Sequence, residues 1–298
     1  MRIITRPDFD GVVCAALLYN ALDIEGPVKW AEPSDLQRGL VEIREGDVIA
    51  NLPYDDRCAL WFDHHYTNRI DRPFNGEFRI APSAAGIIFA HYKDRFVRDY
   101  SELVTATDKI DSADLTLDEV LNPEKYGYVL LSMTMSDGDH PDEAFWNKLA
   151  ALIGKYELQK VLDHPDVKQR CQEVIKQNEQ YAVYLRKNTH LEKHVSVTDF
   201  RHLDKIPVGN RFLVYSLFPE SYVNVRIRYV EKNKDMIKVS VGHSIFNPQC
   251  KVNAGLLLTE FGGGGHCGAG AARFSADKAD IYIPRIIAAL VANTKIEN

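Results

Sequence analysis

Three short strings carry residue types from which phosphate chemistry can be built. Asp8-Phe9-Asp10-Gly11 lies near the start, Asp63-His64-His65 closes an apolar run, and Gly262-Gly263-Gly264-Gly265-His266 follows far downstream. Two carboxylates in a tight turn and an imidazole offer hard oxygen and nitrogen donors suited to Mn²⁺ or Mg²⁺. A cation held there would polarise a phosphoryl oxygen and generate hydroxide near neutral pH. Adjacent imidazoles at a strand end cannot point the same way. His64 and His65 therefore divide the work, one toward metal and one toward substrate or leaving group, with Asp63 orienting an imidazole. In Thr107-Asp108-Lys109-Ile110-Asp111-Ser112-Ala113-Asp114 a helix would put Asp108 and Asp111 on one face, and one of them could complete a metal site. Asp114 reads as a surface or capping residue. Each string also has a plainer reading: a capped turn for Asp-x-Asp-Gly, a polar strand terminus for Asp-His-His, helix caps for the later aspartates.

Consecutive glycines let backbone N–H groups approach an anion without Cβ obstruction, and His266 adds a side-chain donor. A helix before this loop and a strand after it exclude a dinucleotide fingerprint, which needs the reverse order. His243 and Asn253 lie upstream, where they could line the same cleft. Arg226 and Arg228 share a strand face and either supply positive charge or are solvated. His243, Cys250, His266 and Cys267 match no common zinc spacing.

The elements that must position these groups fall into two blocks. The first predicts strands at Arg2 to Thr5, Val28 to Ala31, Val48 to Leu52 and Ala59 to Phe62. They alternate with helices at Val12 to Leu22, Leu36 to Ile43 and Ser83 to Tyr92. That alternation implies an α/β domain with a mainly parallel sheet flanked by helices, and ligands at the carboxyl ends of its strands. Asp8, Asp10, Asn51 and Asp63 all fall at or just past strand ends. Asp142 to about Asn188 reads as helical, with a stripe at Val167, Cys171, Val174, Asn178, Tyr181 and Leu185. It either joins two domains or packs on the first. From about residue 196 the pattern becomes a smaller mixed α/β domain. Strands are expected at Val195 to Phe200, Phe212 to Phe218, Val223 to Val230, Met236 to Ser240 and Ala271 to Phe274. A hairpin turn is expected at Asn233-Lys234-Asp235, and helices at Asn253 to Phe261 and Ala279 to Asn293. The expected division is a first domain over 1–190, linker helices included, and a second over 196–298.

A chain of 298 residues, 45% hydrophobic and 26% charged, is long enough for two cores. It has no apolar run of membrane-spanning length, and Met1 to Arg6 lacks the apolar core of a secretion signal. Five scattered cysteines fit free thiols in a reducing compartment. Cytoplasm is the expected location, with no membrane partner. A net charge of -6 argues against duplex DNA, whose binding draws on a strongly basic surface. It leaves room for a small phosphorylated substrate, including a short single-stranded oligonucleotide. No basic, aromatic-rich groove for long single strands stands out. Oligomeric state is not legible; a homodimer is compatible.

Together these residues resemble the DHH phosphoesterase family with its associated C-terminal domain. The family includes RecJ-like exonucleases, nano-RNases, cyclic dinucleotide phosphodiesterases, type II pyrophosphatases and exopolyphosphatases. Its pattern runs His-x-Asp-x-Asp-Gly, a strand-closing aspartate, Asp-His-His and a further aspartate, normally around two Mn²⁺ ions. The resemblance implies a first metal at the residue in place 6, Asp8 and the residue in place 51. It implies a second at Asp10, place 51, His64 and Asp108 or Asp111, with His65 facing substrate. It also implies that Gly263, Gly264, Gly265 and His266 hold the substrate phosphate, near a position often occupied by arginine where this chain has His243.

Two places depart from that pattern. Arg6 stands where the family has histidine and Asn51 where it has the bridging aspartate. Arginine stays protonated and cannot ligate a cation; asparagine offers one neutral oxygen. Asp55 and Asp56 follow Asn51 but sit in a turn beyond Pro53. Losing a divalent ion removes two positive charges, Arg for His adds one, and Asn for Asp removes a negative one, so the local total is unchanged. The expectation is one Mn²⁺ (or Mg²⁺) rather than two, with the Arg6 guanidinium in the electrostatic place of the other, forked onto Asp8 or a substrate phosphate. Two functions follow: a metal-dependent phosphohydrolase acting on a small nucleotide, short oligonucleotide or polyphosphate, or a weakly active or inactive nucleotide- or phosphate-binding member of the family.

Overall fold

The structure is a computed structural model that describes residues 1–135, 142–230 and 234–295. In chain order its elements are β1 (Ile3–Thr5), α1 (Phe9–Ala21), β2 (Lys29–Trp30), α2 (Pro33–Gln37), β3 (Val48–Ala50), β4 (Leu60–Asp63), β5 (Gly76–Phe78), α3 (Ala84–His91), α4 (Ser101–Asp111), α5 (Leu117–Leu121), α6 (Gly127–Met133), α7 (Glu143–Lys155), α8 (Leu158–Leu162) and α9 (Pro165–Asn188). There follow β6 (Thr189–Glu192), β7 (Val195–Asp199), α10 (Leu213–Leu217), β8 (Val223–Tyr229), β9 (Met236–His243), α11 (Ala254–Thr259), β10 (Gly264–His266), β11 (Ala269–Ser275) and α12 (Ala279–Ala292). The chain forms two compact units, Met1–Leu115 with Asn122–Val174, and Thr116–Leu121 with Ile175–Asn298. Helix α9 starts in the first and ends in the second. Among the described residues no helix is long and apolar enough to cross a membrane.

The first unit is built on a parallel five-stranded sheet in the order β2-β1-β3-β4-β5. Its short central strands are buried on both faces, as parallel strands must be when both faces are covered. On one face Ile4, Ile49 and Trp61 join Ala31, Val41, Ile43 and Leu52, with Leu36 of α2 and the rings of Tyr54, Phe74 and Phe78 packed against them. Trp61 stacks on Phe78 at 5.3 Å between centroids and donates its indole N–H to the Leu52 carbonyl. All strands run the same way, so Asp8 beyond β1, Asn51 beyond β3 and Asp63 at the end of β4 lie along one sheet edge.

The second unit carries a mixed six-stranded sheet, order β10-β11-β9-β8-β7-β6, parallel only between β7 and β8. One face is apolar: Val195, Val197, Val223, Val225, Ile227, Ile237, Val239 and Val241 pack with α11 and α12. The glycine loop is part of this sheet, because Gly264 to His266 form edge strand β10. A Cβ on Gly255 of α11 would lie 2.3 Å from the Gly265 carbonyl oxygen, and one on Gly263 would lie 2.3 Å from that of Ala271. These glycines let helix and strands approach closely. Around Gly264 nothing lies within 4 Å of an added Cβ.

Several elements differ from expectation. The helix expected over 36–43 is the short α2, which Pro33 opens at a position where proline suits the first turn; Gly39, at φ +69°, ends it in the left-handed region. The strand expected over 212–218 is instead helix α10. Asn210 starts it, its side-chain oxygen accepting the Phe212 N–H and its carbonyl the Leu213 N–H. The helical stretch from Asp142 divides into α7, α8 and α9. Asn233 lies outside the described residues; Lys234 beside it has φ +64°.

Gly255→Ala should cost about 1–3 kcal/mol of stability through overpacking, measured by urea denaturation. Gly264→Ala should be close to neutral in the same assay.

Candidate metal and active site

Asp10 is 1% exposed, in the first turn of α1. Its two oxygens accept the N–H groups of Ala84 and Ala85 at 3.0 and 2.9 Å. These are the first residues of α3, whose N-terminal N–H groups carry the positive end of the helix dipole. Ser83 caps that helix by accepting the Gly86 N–H, and donates its hydroxyl to Asp108 Oδ1 at 2.5 Å. Asp108 is thereby tied to the start of α3.

Asp111, at the end of α4, approaches His64 instead: its Oδ2 is 3.4 Å from His64 Nε2, and Asp10 Oδ2 is 3.9 Å away. The donor atoms of Asp10, His64 and Asp111 all lie within 4.8 Å of one another. His64 Nδ1 is 3.0 Å from the Ala81 carbonyl, so that nitrogen carries the proton in the neutral ring and Nε2 presents its lone pair to the carboxylates. Nε2 is buried and has no hydrogen-bond partner. Burial, then the charge of Asp8, raises the Asp10 pKa well above the usual carboxylate range. Burial, then Asp10 and Asp8, does the same for Asp111. Crowded carboxylates around an unsatisfied imidazole nitrogen are what a divalent cation would relieve. The donor set therefore fits such an ion.

Asp8 is held differently. Its Oδ1 caps α1 through the Gly11 N–H at 2.8 Å and accepts from Asn51 Nδ2 at 3.0 Å. Arg6 Nε lies 3.3 Å from its Oδ2 and 3.7 Å from Glu32. The turn is tight: a Cβ on Gly11 would meet the Arg6 carbonyl oxygen at 2.0 Å. Asn51 sits at φ +55°, a left-handed conformation that asparagine tolerates, and its Oδ1 is buried without a partner.

Asp63 also lies within range of both histidines. It is fully buried, with Oδ1 on His65 Nδ1 at 2.8 Å and Oδ2 on Asn68 Nδ2 at 2.7 Å. Burial lowers the His65 pKa, but the hydrogen bond and charge of Asp63 outweigh it and leave it raised.

In the second unit Asn253 caps α11 through the Leu256 N–H. His243 hydrogen-bonds the Val252 carbonyl through Nε2 at 2.9 Å, and burial lowers its pKa. By strand register His243 belongs with Val223 and Val241, on the helix-covered face, whereas Gly264 and His266 belong to the opposite face. The structure thus brings together Asp10, His64 and Asp111, and separately Arg6, Asp8 and Asn51. Asp108 faces Ser83. Five contributors were not singled out from the sequence: Asn68, Ser83, and the backbone groups of Ala81, Ala84 and Ala85. Only Ser83 had a signal, as the first residue of the helix expected at Ser83 to Tyr92.

A pGpG-specific phosphodiesterase, PggH from Vibrio cholerae, matches with a TM-score of 0.83 and 31% sequence identity over 98% of this chain and 99% of that one. The chain belongs to the DHH phosphoesterase family and is a hydrolase of that family. Exonuclease RecJ bound to manganese (TM-score 0.59, 13% identity, 98% of this chain and 90% of that one) shares the fold. So does an exopolyphosphatase-related protein from Bacteroides fragilis (TM-score 0.54, 14% identity, 98% and 93%). A divalent metal, Mn²⁺ or Mg²⁺, is typical of the family. No protein-family model matches the chain, and no curated protein matches it significantly.

Asp111→Asn removes a crowded negative charge. It should raise the melting temperature of the EDTA-treated protein by a few degrees and abolish the further rise on adding Mn²⁺. Differential scanning calorimetry with and without the ion reads both effects.

Proposed function

We propose that the protein is a phosphodiesterase that cleaves a 5′-phosphorylated dinucleotide of the pGpG type, with one divalent ion held by Asp10, His64 and Asp111. Full-length similarity to a pGpG-specific phosphodiesterase carries this reading; the unsatisfied His64 Nε2 between two carboxylates supports the ligand set. On this reading residues 1–190 form the catalytic domain and 196–298 the substrate-binding domain.

When bound, the ion supplies Lewis acidity toward a phosphoryl oxygen and acidifies a water molecule. The chain supplies orientation. The α3 N-terminus fixes Asp10, and the Ala81 carbonyl fixes the His64 tautomer. Asp63, itself clamped by Asn68, holds Nδ1 of His65 and leaves its Nε2 for the substrate. Arg6 and Asn51 engage both Asp8 oxygens, so a positive guanidinium stands in the electrostatic place of a second ion. Asp108 serves as a brace for Ser83 rather than a ligand.

With Mn²⁺ present, pGpG should be hydrolysed in preference to cyclic diguanylate and polyphosphate, and His64→Ala should lower kcat/KM by at least about 100-fold. Preference for polyphosphate, or full activity in His64→Ala, would overturn the reading. Titration calorimetry should count one Mn²⁺ per chain, and the Arg6→His/Asn51→Asp double variant should count two. Two tight ions in the wild type would refute the single-ion assignment.

A further inference from the structure

The second unit's sheet has two faces of opposite character. Strand register places Gly264, Ala271, Ser240, Arg226 and Thr198 in one row across β10, β11, β9, β8 and β7. The adjacent row on the same face holds His266, Ala269, Gly242, Asn224 and Ser196. On the other side of Arg226, Arg273, Lys238 and Arg228 stand directly opposite one another. Residues paired across strands share a face, so this face is polar and cationic where its reverse is the apolar core; Ser196, Thr198 and Asn224 at its β7–β8 end are buried, and Arg226 and Ser240 beside them are half-buried.

Arg226 is its most unusual member. It is half-buried, yet among the described residues no carboxylate pairs with it. Its one hydrogen bond is a long one, from Nη1 to the Tyr181 hydroxyl at 3.5 Å. Tyr215 is near enough to feel its charge, but its hydroxyl is already committed to the Gly242 carbonyl at 2.7 Å. Ser240 faces Arg226 across the β8–β9 pair. A half-buried guanidinium without a counter-charge loses hydration and gains little in return. An anion would supply what is missing, and a phosphate monoester suits the forked donors best.

We infer that Arg226, with Ser240 and the Tyr181 hydroxyl, reads the terminal 5′-phosphate of the substrate and so sets the preference for a phosphorylated dinucleotide. The inference rests on the phosphodiesterase reading for the nature of the ligand. Arg226 is three strands from Gly264, about 14 Å between backbones. A ligand reaching from the glycine strand to the guanidinium must carry its negative charges well apart, as two phosphates separated by a nucleoside do and a pyrophosphate does not. His243 cannot take this role: its ring nitrogen is bound to the Val252 carbonyl and the residue belongs to the opposite face.

The test compares pGpG with GpG, which lacks the terminal phosphate, on wild-type protein and on Arg226→Gln. Binding is measured by calorimetry in EDTA, where turnover is stopped. Wild type should bind pGpG more tightly than GpG. Arg226→Gln should weaken pGpG by about 10- to 100-fold, as expected for a lost charge-assisted hydrogen bond, and leave GpG unchanged; Arg226→Lys should recover part of the loss. Equal effects on both ligands, no effect on either, or no binding of either by wild type overturns the inference. Turnover of the same preparations in Mn²⁺ separates the two readings. Discrimination by Arg226 in binding without wild-type hydrolysis leaves the assignment standing and removes the phosphodiesterase function. Hydrolysis of pGpG that is indifferent to Arg226→Gln does the reverse.

Discussion

The arrangement of the first unit depends on one contact, the Asp10 carboxylate against the opening N–H groups of α3. A buried carboxylate beside other acids is unfavourable. The helix N-terminus offsets part of that cost with two hydrogen bonds and a favourable dipole. It does so at the place where α1 and α3 converge, so the orientation of Asp10 is set by the packing of two helices. His64 is locked to the same loop through the Ala81 carbonyl, three residues before Ala84. The two donors therefore share one support, which sets their spacing.

Around Asp8 the same physics reaches a different end. Its carboxylate is neutralised within the chain, by a guanidinium on one oxygen and an amide on the other. Arg6 and Glu32 are partly solvated, so the pairing contributes little to stability. Its effect is electrostatic. It keeps a permanent positive charge on Asp8, near enough to His65 to oppose protonation of that ring. Asn51 completes the exchange only because it accepts a left-handed backbone at the end of β3.

Most of the first unit was legible because its signals are local. Apolar runs of three or four residues, each followed by a polar loop, read as buried parallel strands, and the motif aspartates fell at their ends. Which of Asp108 and Asp111 approaches His64 was not legible: both lie on α4, and what separates them is Ser83, distant in sequence, which bonds Asp108. Strand 212–218 was misread because Leu213, Val214 and Tyr215 are buried in succession, a pattern that helix and strand share when short. Asn210, which starts the helix, is a turn signal that alternation masked. The glycine string was read as a loop that spares a ligand the Cβ atom. In the fold an added Cβ on Gly263 or on Gly265 would run into the β11 backbone, so two of the four glycines answer to packing.

That difference changes how the second unit is understood. If every glycine existed for a ligand, the loop alone would define the binding surface. Because β10 is an integral edge strand, the glycines and His266 share one sheet face with Ser240 and Arg226, and the register fixes which side chains can act together. His266 and Arg226 belong to that face although forty residues separate them in sequence; His243, closer in sequence to both, belongs to the other. Alternation along a strand is a two-valued choice, and here it puts Arg226 and His243 on opposite faces of the sheet. A single-residue shift of β9 relative to β8 would exchange His243 for Gly242 and carry Ser240 away from Arg226. The hydroxyl of Tyr215 on the Gly242 carbonyl opposes that shift, and a side chain at Gly242 would press on it at 2.9 Å. Glycine at 242 thus preserves the register on which the cationic face depends.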